Sequence, residues 1–545
     1  MPAKNFFQRC FTKALGWIVL SASLTACKTI PEAVSSIPFF ASLSQKEAGL
    51  LEPLPAPVPR TWPDAQQDII NQRARGFGLV NAPEAKKYLN GLYGRIKTAA
   101  GVPNWPGEVQ ISAQSSLQAY ATAAGNLYIT LPWLTSVQSE DELVALLAHE
   151  FAHVYLHYHK LEGAIETADT AAGFLSIAVK YASKTAQVTG WTKVDSLVAS
   201  YSIGKALATA LYGQTEERAA DRVSLHLTHK MGYSYEHGPK AFLERLAGWE
   251  DYNDALLLKQ QDAFNKAIRE SAQVGSANLN AKANNEVSKA LNSGAAEVTA
   301  EITVAGTQFF FNLRKALGKF TNTHPDTIKR QDTLAQLADA TPELQADKAP
   351  VTAPLKVMLS GRQTAQILKN YELAYQALAA PESAAAVGWA QQARSGPTAT
   401  HLVPLFALYS VANTQGGASI RGLPRDLTQL FEVNINSEGD RAWFSYRERT
   451  TGLNKRGQRA EATRVLERGM VHFAQAEEVL PDVVTFYGET EGWAKAKERA
   501  QDCSRRFPKI ASRCNGAARS PAEVAALEKE EEKKAEQLVN KLKKR

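Results

Sequence analysis

Along most of this chain apolar residues recur three and four positions apart, the spacing of helices with one buried face. Only a short stretch alternates at the two-residue period of strands. Between Pro63 and Lys97 the apolar positions Ile69, Ile70, Leu79, Tyr88, Leu89, Leu92 and Ile96 predict two helices, parted between Gly76 and Asn81. Glu108 to Ser112 alternates as a strand. Leu117 to Thr122 and Leu127 to Leu131 read as a strand pair turned at Ala123-Ala124-Gly125-Asn126. A long helix follows, opened by Ser139-Glu140-Asp141-Glu142 with its acids in the first turn, where the helix dipole favours them. Residues 162–214 are Ala-rich and helical, and 215–248 form another helical stretch. Residues 250–315, rich in Ala, Asn, Lys and Glu, read as an inserted helical excursion.

Beyond about 350 the texture changes to Ala-rich patterns of helix-hairpin length, at 363–379, 382–394, 401–413, 440–452, 457–473 and 485–506. Paired helices of this kind suit a tetratricopeptide-like (TPR-like) array. Residues 521–545 alternate acidic and basic blocks, as a solvated helix does. The expected fold is therefore mainly α within an α+β class. A domain at 63–345 with a small sheet beside a long helix precedes a helical domain at 350–519 and a charged tail at 520–545.

The 545 residues are too many for one core, and 44% hydrophobic with 21% charged is an ordinary globular balance. Lys4, Arg9 and Lys13 precede a short apolar run from Ala14 to Leu24, the pattern of a secretory signal over residues 1–26. Its removal takes three of the seven net positive charges and leaves +4, which argues against nucleic acid as a partner. Leu24-Thr25-Ala26-Cys27 resembles a bacterial lipobox, in which Cys27 would carry lipid; the alternative is an ordinary signal with an incidental cysteine. Lys28 stands where an inner-membrane retention signal would have Asp, so the resemblance implies the outer membrane. Residues 27–62, with Pro31, Pro38, Pro53, Pro55, Pro57 and Pro59, read as an extended tether. Cys503 and Cys514 are left, and in an exported chain such a pair points to a disulfide, with two reduced buried thiols as the alternative. Lys180, Lys184, Lys193, Asp195 and Lys205 interrupt the apolar stretches of 162–214, which excludes a bilayer span there and weighs against a membrane-embedded enzyme.

The long helix carries His149-Glu150-Phe151-Ala152-His153 inside an apolar run. Two histidines four apart project from one helix face about one turn apart and can share a tetrahedral ion. Glu150, about 100° round the helix, reaches water on such an ion rather than the ion itself. This is the pattern of a zinc hydrolase with one ion per chain. His157 continues the stripe about 12 Å along the axis from His149, too far to share the ion, and His159 is likewise read as structural or surface. A third ligand must come from a later element, and Glu217-Arg218-Ala219-Ala220-Asp221 is the best candidate. Glu217 would bind zinc and Asp221, one turn on, would fix the tautomer of a ligand imidazole. Glu216 competes, but stands five rather than four positions before Asp221.

Taken in order, HEFAH, Glu217-x-x-Ala-Asp221 and Thr323-His324-Pro325 with Arg330 resemble the HtpX/CAAX-prenyl-protease family of zinc metallopeptidases. The resemblance spans about 63–340 and is nearest to periplasmic BepA-like members with a C-terminal tetratricopeptide domain. Ala119-Tyr120-Ala121, Gly125 and Leu127-Tyr128-Ile129 resemble the family's strand pair, with Ala123-Ala124-Gly125 where Pro-Gly-Gly is usual. The gap from Glu217 to His324 is long for the family, as the insertion explains. The resemblance implies a zincin-type domain and a catalytic Glu150. It also puts His324 near the metal, where it would stabilise an oxyanion, fill the open position and hold the enzyme inactive, or merely cap the domain. It implies an envelope endopeptidase in the periplasm, acting on unfolded or misassembled exported proteins, with an assembly-machinery partner for the helical domain. The rival expectation is an assembly chaperone or scaffold whose zinc site is silent.

Overall fold

The computed structural model describes residues 61–157, 214–249 and 327–527, apart from positions 116, 347, 418–419, 421 and 474–475, with 54 and 56–57 before them. Cys27, His159, His324, the side chain of His157, and nearly all of the tether, the insertion and the charged tail lie outside the described residues. What is described is mainly helical with one small three-stranded sheet. No helix among the described residues is long and apolar enough to cross a membrane.

Helix α1 (Ala65–Ala74) starts where the Asp64 carboxylate accepts from the amides of Gln66 and Gln67. Helix α2 (Pro83–Ala99) begins with proline in its first turn and buries Leu89, Leu92, Tyr93 and Ile96. The sheet follows, with β1 (Val109–Ser112), β2 (Ala119–Ala121) and β3 (Leu127–Thr130) in the order β1-β3-β2. Strand β1 runs parallel to β3, Val109 facing Leu127, and β2 runs antiparallel, Ala121 facing Leu127. The β2–β3 turn closes at Gly125, whose φ of +84° suits glycine; a Cβ there would stand 2.6 Å from the Pro106 carbonyl oxygen. Asp68 on α1 ties the hairpin down, accepting from Thr122 Oγ1 (2.8 Å), Asn126 Nδ2 (2.8 Å) and the Tyr128 hydroxyl (2.7 Å). The free edge of β1 is covered where Val80 N donates to Ile111 O and Ala113 N to Gly78 O.

A short helix α3 (Leu131–Ser136) leads into α4 (Glu140–His157). Helix α4 is central because it is apolar on every side. Leu143 to Ala148, Phe151, Ala152 and Val154 are all fully buried, so the helix needs protein around its whole circumference. Its start is fixed by Ser139 Oγ, which accepts from Glu142 N, while Glu142 Oε2 accepts from Gln138 N. The expected helix at 215–248 is divided. Helix α5 (Gln214–Lys230) ends at Gly232, φ +86°, and a π turn at Glu236–Lys240 leads into a helical run at 241–249. The break lets the Tyr233 hydroxyl donate to Glu140 and Ser234 N to Asp141 (2.9 Å), at the start of α4.

Helix α6 (Thr327–Asp339) follows, then α7 (Ala353–Ser360), α8 (Arg362–Ala379), α9 (Ala386–Ala393), α10 (Leu402–Thr414), α11 (Trp443–Lys455) and α12 (Arg459–His472). Residues 54–480 form one compact unit. The packing carries straight across position 350: Glu140 N donates to Val351 O and Val351 N to Asp141 Oδ2, both at 2.7 Å. Phe77, just after α1, packs on Phe406 and Phe444. From Pro481 a second unit begins, and its described part holds most of α13 (Leu480–Glu491), α14 (Trp493–Arg506) and α15 (Ala511–Ala517). The pattern of helix-hairpin length expected at 485–506 falls on two helices parted at Gly492, φ +101°, and Cys503 on α14 is disulfide-bonded to Cys514 on α15.

Candidate metal centre

Helices α4 and α5 pack side by side, with Ser224 Oγ donating to the Ala145 carbonyl (2.7 Å) at their contact. Each contributes a pair of residues one turn apart, His149 with His153 and Glu217 with Asp221. All are buried, and His149, His153 and Glu217 are wholly so. His149 Nε2 and His153 Nε2 lie 3.0 Å apart, and Glu217 brings Oε2 to 3.4 Å from the first and Oε1 to 3.4 Å from the second. The three residues offer ligand atoms all within 4.8 Å of one another, and Glu216 is not in the group. The Phe242 ring lies beside His149, centroids 5.4 Å apart.

His149 Nδ1 is 3.0 Å from Asp221 Oδ1. A carboxylate only accepts, so the imidazole proton belongs on Nδ1 and the Nε2 lone pair turns towards Glu217. A lone pair aimed at a carboxylate is repulsive unless a cation stands between them. Two nitrogens held at 2.0–2.1 Å by a tetrahedral ion are about 3.3 Å apart, close to the observed spacing. The donor set therefore fits one zinc-like cation. Glu150 is buried on the same helix turn, next to the first ligand.

Arg330, fully buried on α6, completes the cluster. Its Nε and Nη2 donate to Asp221 Oδ2 (2.8 Å) and Oδ1 (2.6 Å), and its Nη1 lies 3.1 Å from Glu217 Oε2. Burial would push the Asp221 carboxyl up, but the Arg330 guanidinium, helped by His149, holds it below the usual carboxylate range. Burial likewise opposes charge on His149, and the Asp221 and Glu217 carboxylates outweigh it, raising the imidazole above its ordinary value.

The sequence expectation that His149, His153, Glu217 and Asp221 meet agrees with this geometry. Arg330 had entered only through the family resemblance, without a role. A single arginine in a polar helix gives no sign in the sequence that it is buried.

A buried pair of imidazoles from one helix and a carboxylate from the next is the donor set of a mononuclear metal hydrolase. Residues 83–338 match the model of Peptidase family M48, which supports a metallopeptidase domain in this segment. Over 189 residues the chain is 25% identical to the Beta-barrel assembly-enhancing protease of Yersinia pestis. That match covers 34% of this chain and 37% of the relative, so it spans little more than a third of either protein.

Proposed function

We propose that this protein is a zinc-dependent endopeptidase of the bacterial envelope that cleaves exported proteins in quality control. The observation that carries the proposal is the convergence of His149, His153 and Glu217 in a buried cluster beside Glu150. Zinc held by those three residues would supply Lewis acidity, acidifying water and polarising a peptide carbonyl. Glu150 takes the proton of the attacking water and passes it to the leaving amine nitrogen. Asp221 keeps the His149 proton on Nδ1, so that Nε2 stays a donor atom. In this reading an extended substrate adds at the edge of the strand at 117–122. Recognition through main chain gives loose sequence preference, suited to unfolded or misassembled chains.

The Yersinia relative is named for enhancing β-barrel assembly, which supports β-barrel proteins as the substrate class and their assembly machinery as a partner of the TPR-like helices. In this reading Cys27 carries the lipid that tethers the protein to the outer membrane on the periplasmic side. In the same reading His324, which lies outside the described residues, would serve that metal as oxyanion donor or as an inhibitory occupant of its open position. The test is Glu150→Gln in the full chain, with zinc content and cleavage of an unfolded protein measured together. Zinc should be retained and cleavage lost. Cleavage by a zinc-loaded Glu150→Gln protein free of contaminants would overturn the mechanism.

A further inference from the structure

We propose that His401 and Asp440 form an acid-sensitive latch, which holds α1 against the C-terminal helices at neutral pH and loosens it as the pH falls. Its residues take no part in the metal site and lie where the end of α1 meets the start of α10 and the turn before α11. Arg73 Nη1, on α1, donates to the Gly439 carbonyl, and Phe77 packs on Phe406 and Phe444. At this seam Tyr371, His401 and Asp440 make a buried row, 1%, 2% and 8% exposed. His401 Nδ1 lies 3.2 Å from the Tyr371 hydroxyl, and its Nε2 lies 3.6 Å from Asp440 Oδ1. Asp440 Oδ2 accepts from Thr400 Oγ1 and from Ser437 Oγ (3.0 Å), whereas Oδ1 accepts no hydrogen bond. Asn434 Nδ2 donates to the Thr400 and Asp440 carbonyls (2.9 and 2.6 Å), which fixes the turn that presents Asp440. A buried carboxylate oxygen without a donor thus faces an imidazole just beyond hydrogen-bond reach. That contact closes when the ring takes a second proton.

At neutral pH the ring is uncharged. Burial pushes His401 below its ordinary value, Asp440 opposes that, and Arg73 adds to it. His401 also opens α10, the positive end of the helix dipole, which disfavours charge there. The groups facing the ring are Asp440 from the turn before α11, Arg73 from α1 and Tyr371 from α8, with the Tyr375 ring 5.8 Å from that of Tyr371. With His401 neutral, Asp440 is the chief acid steadying the buried Arg73 cation, which Tyr128 and Glu108 also reach. A second imidazole bears on the same arginine: His472 on α12 is lowered by burial, by Arg441 and by Arg73. Acid therefore adds positive charge to a seam that already holds two guanidinium groups. A protonated His401 draws Asp440 Oδ1 to itself, and Arg73 is left beside an imidazolium with a neutral carbonyl as its hydrogen-bond partner. Loosening α1 reaches further, since Asp68 and Gln72 on the same helix hold Tyr128 and Tyr120 of the hairpin. The folded chain binds this proton less readily than the unfolded one. The joint is therefore whole above about pH 6.5 and weakens as the pH falls below it.

The experiment is backbone hydrogen exchange of the full chain, corrected for the intrinsic effect of pH, at about pH 7.5 and about pH 5.5. Wild type is compared with His401→Gln and His472→Gln. In wild type, opening of α1 and of residues 434–442 should rise at the lower pH by up to about tenfold, the ratio set by one imidazole with an unfolded value of about 6.5. Peptides of α14 and α15, where no histidine occurs, should not change. His401→Gln keeps a neutral donor and acceptor at every pH and should hold opening at its neutral level, whereas His472→Gln should keep an acid response. A response that survives in His401→Gln or vanishes in His472→Gln overturns the proposal. So does a wild-type joint indifferent to pH, or a rise that extends equally to α14 and α15. If His401→Gln does not fold, exchange of the imidazole C2 proton in wild type decides. A midpoint for His401 below about 6.5 supports the latch, and one at or above it refutes the latch.

Discussion

Replacing Asp221 by asparagine isolates what charge and hydrogen bonding contribute to the centre, because the side chain keeps its shape. Asp221 receives three contacts, from His149 Nδ1 at 3.0 Å and from Arg330 Nε and Nη2 at 2.8 and 2.6 Å. Asparagine has one acceptor oxygen and one NH2, so it must oppose a donor with a donor in either orientation. With the NH2 towards His149, the imidazole must move its proton to Nε2, the atom that faces Glu217, and the ligand is lost. With the NH2 towards Arg330, the buried guanidinium meets a donor at Nε and keeps only Glu217 as a charged partner. Removing one partner of a buried ion pair costs about 3–5 kcal/mol. The relaxed structure will take the cheaper course, so the expected loss of metal-free stability is about 3 kcal/mol. Zinc affinity should fall tenfold to a hundredfold, about 1.4–2.7 kcal/mol. Thermal unfolding in the presence of a chelator measures the first quantity, and competition against a chelator of known affinity measures the second. Affinity within twofold of wild type, together with an unchanged metal-free melting temperature, would refute the claim that this carboxylate orients and charge-balances the site.

The metal-free domain should show a pH dependence of opposite sign at its two ends. His149 is raised above its unfolded value, so its contribution is complete below about pH 6.5 and is lost as pH rises through the folded value. Asp221 is lowered, so its contribution is present above about pH 3.9 and is lost as acid takes the pH down through the folded value. Chemical denaturation across pH with chelator present tests both limbs, and a contribution from His149→Gln that is flat with pH would contradict the first. Glu140→Gln should lower stability by about 2–3 kcal/mol, since a buried carboxylate taking the Tyr88, Tyr233 and Arg95 donors loses its charge; an unchanged midpoint would remove this anchor of α4 from the account. Gly125→Ala should fold poorly, because its Cβ would sit 2.6 Å from the Pro106 carbonyl oxygen at positive φ, and yield of soluble protein is the readout. Cys503→Ser should destabilise the unit beginning at Pro481 by about 2–3 kcal/mol, the cost of freeing a loop of eleven positions, measured by local hydrogen exchange around α14 and α15.

Sequence patterning was a good guide wherever one local rule governed. Helix periodicity found α1, α2 and α4, alternation found the strands, and Ser139 with Glu142 marked the start of the helix that carries His149 and His153, because each is decided within a few residues. It failed where a glycine with helical neighbours takes positive φ. Gly232 interrupts a stretch whose apolar spacing continues on either side, so 215–248 read as one helical stretch. Nor does periodicity report which helices share a body. The hydrogen bonds of Glu140 and Asp141 with Val351, and of Glu84 with Thr364 (3.1 Å), join elements more than two hundred positions apart.

The site was legible for a related reason, and its limit follows from the same geometry. His149 with His153, and Glu217 with Asp221, are each four apart, so each pair lies on one face of its own helix and the spacing alone says so. Two such pairs on packed helices form a square, three of whose corners offer ligand atoms to a cation while the fourth, Asp221, faces its neighbour His149. What a square of two imidazoles and two carboxylates lacks is charge balance on the carboxylate side, and no local rule tells where that cation comes from. It comes from Arg330, 109 positions beyond Asp221, and its planar fork matches the one-turn separation that the α5 pair already had. The requirement was set by α5, but the residue meeting it lies on a helix that only the fold brings within reach. Metal affinity should therefore depend on the docking of α6 as much as on the ligands themselves.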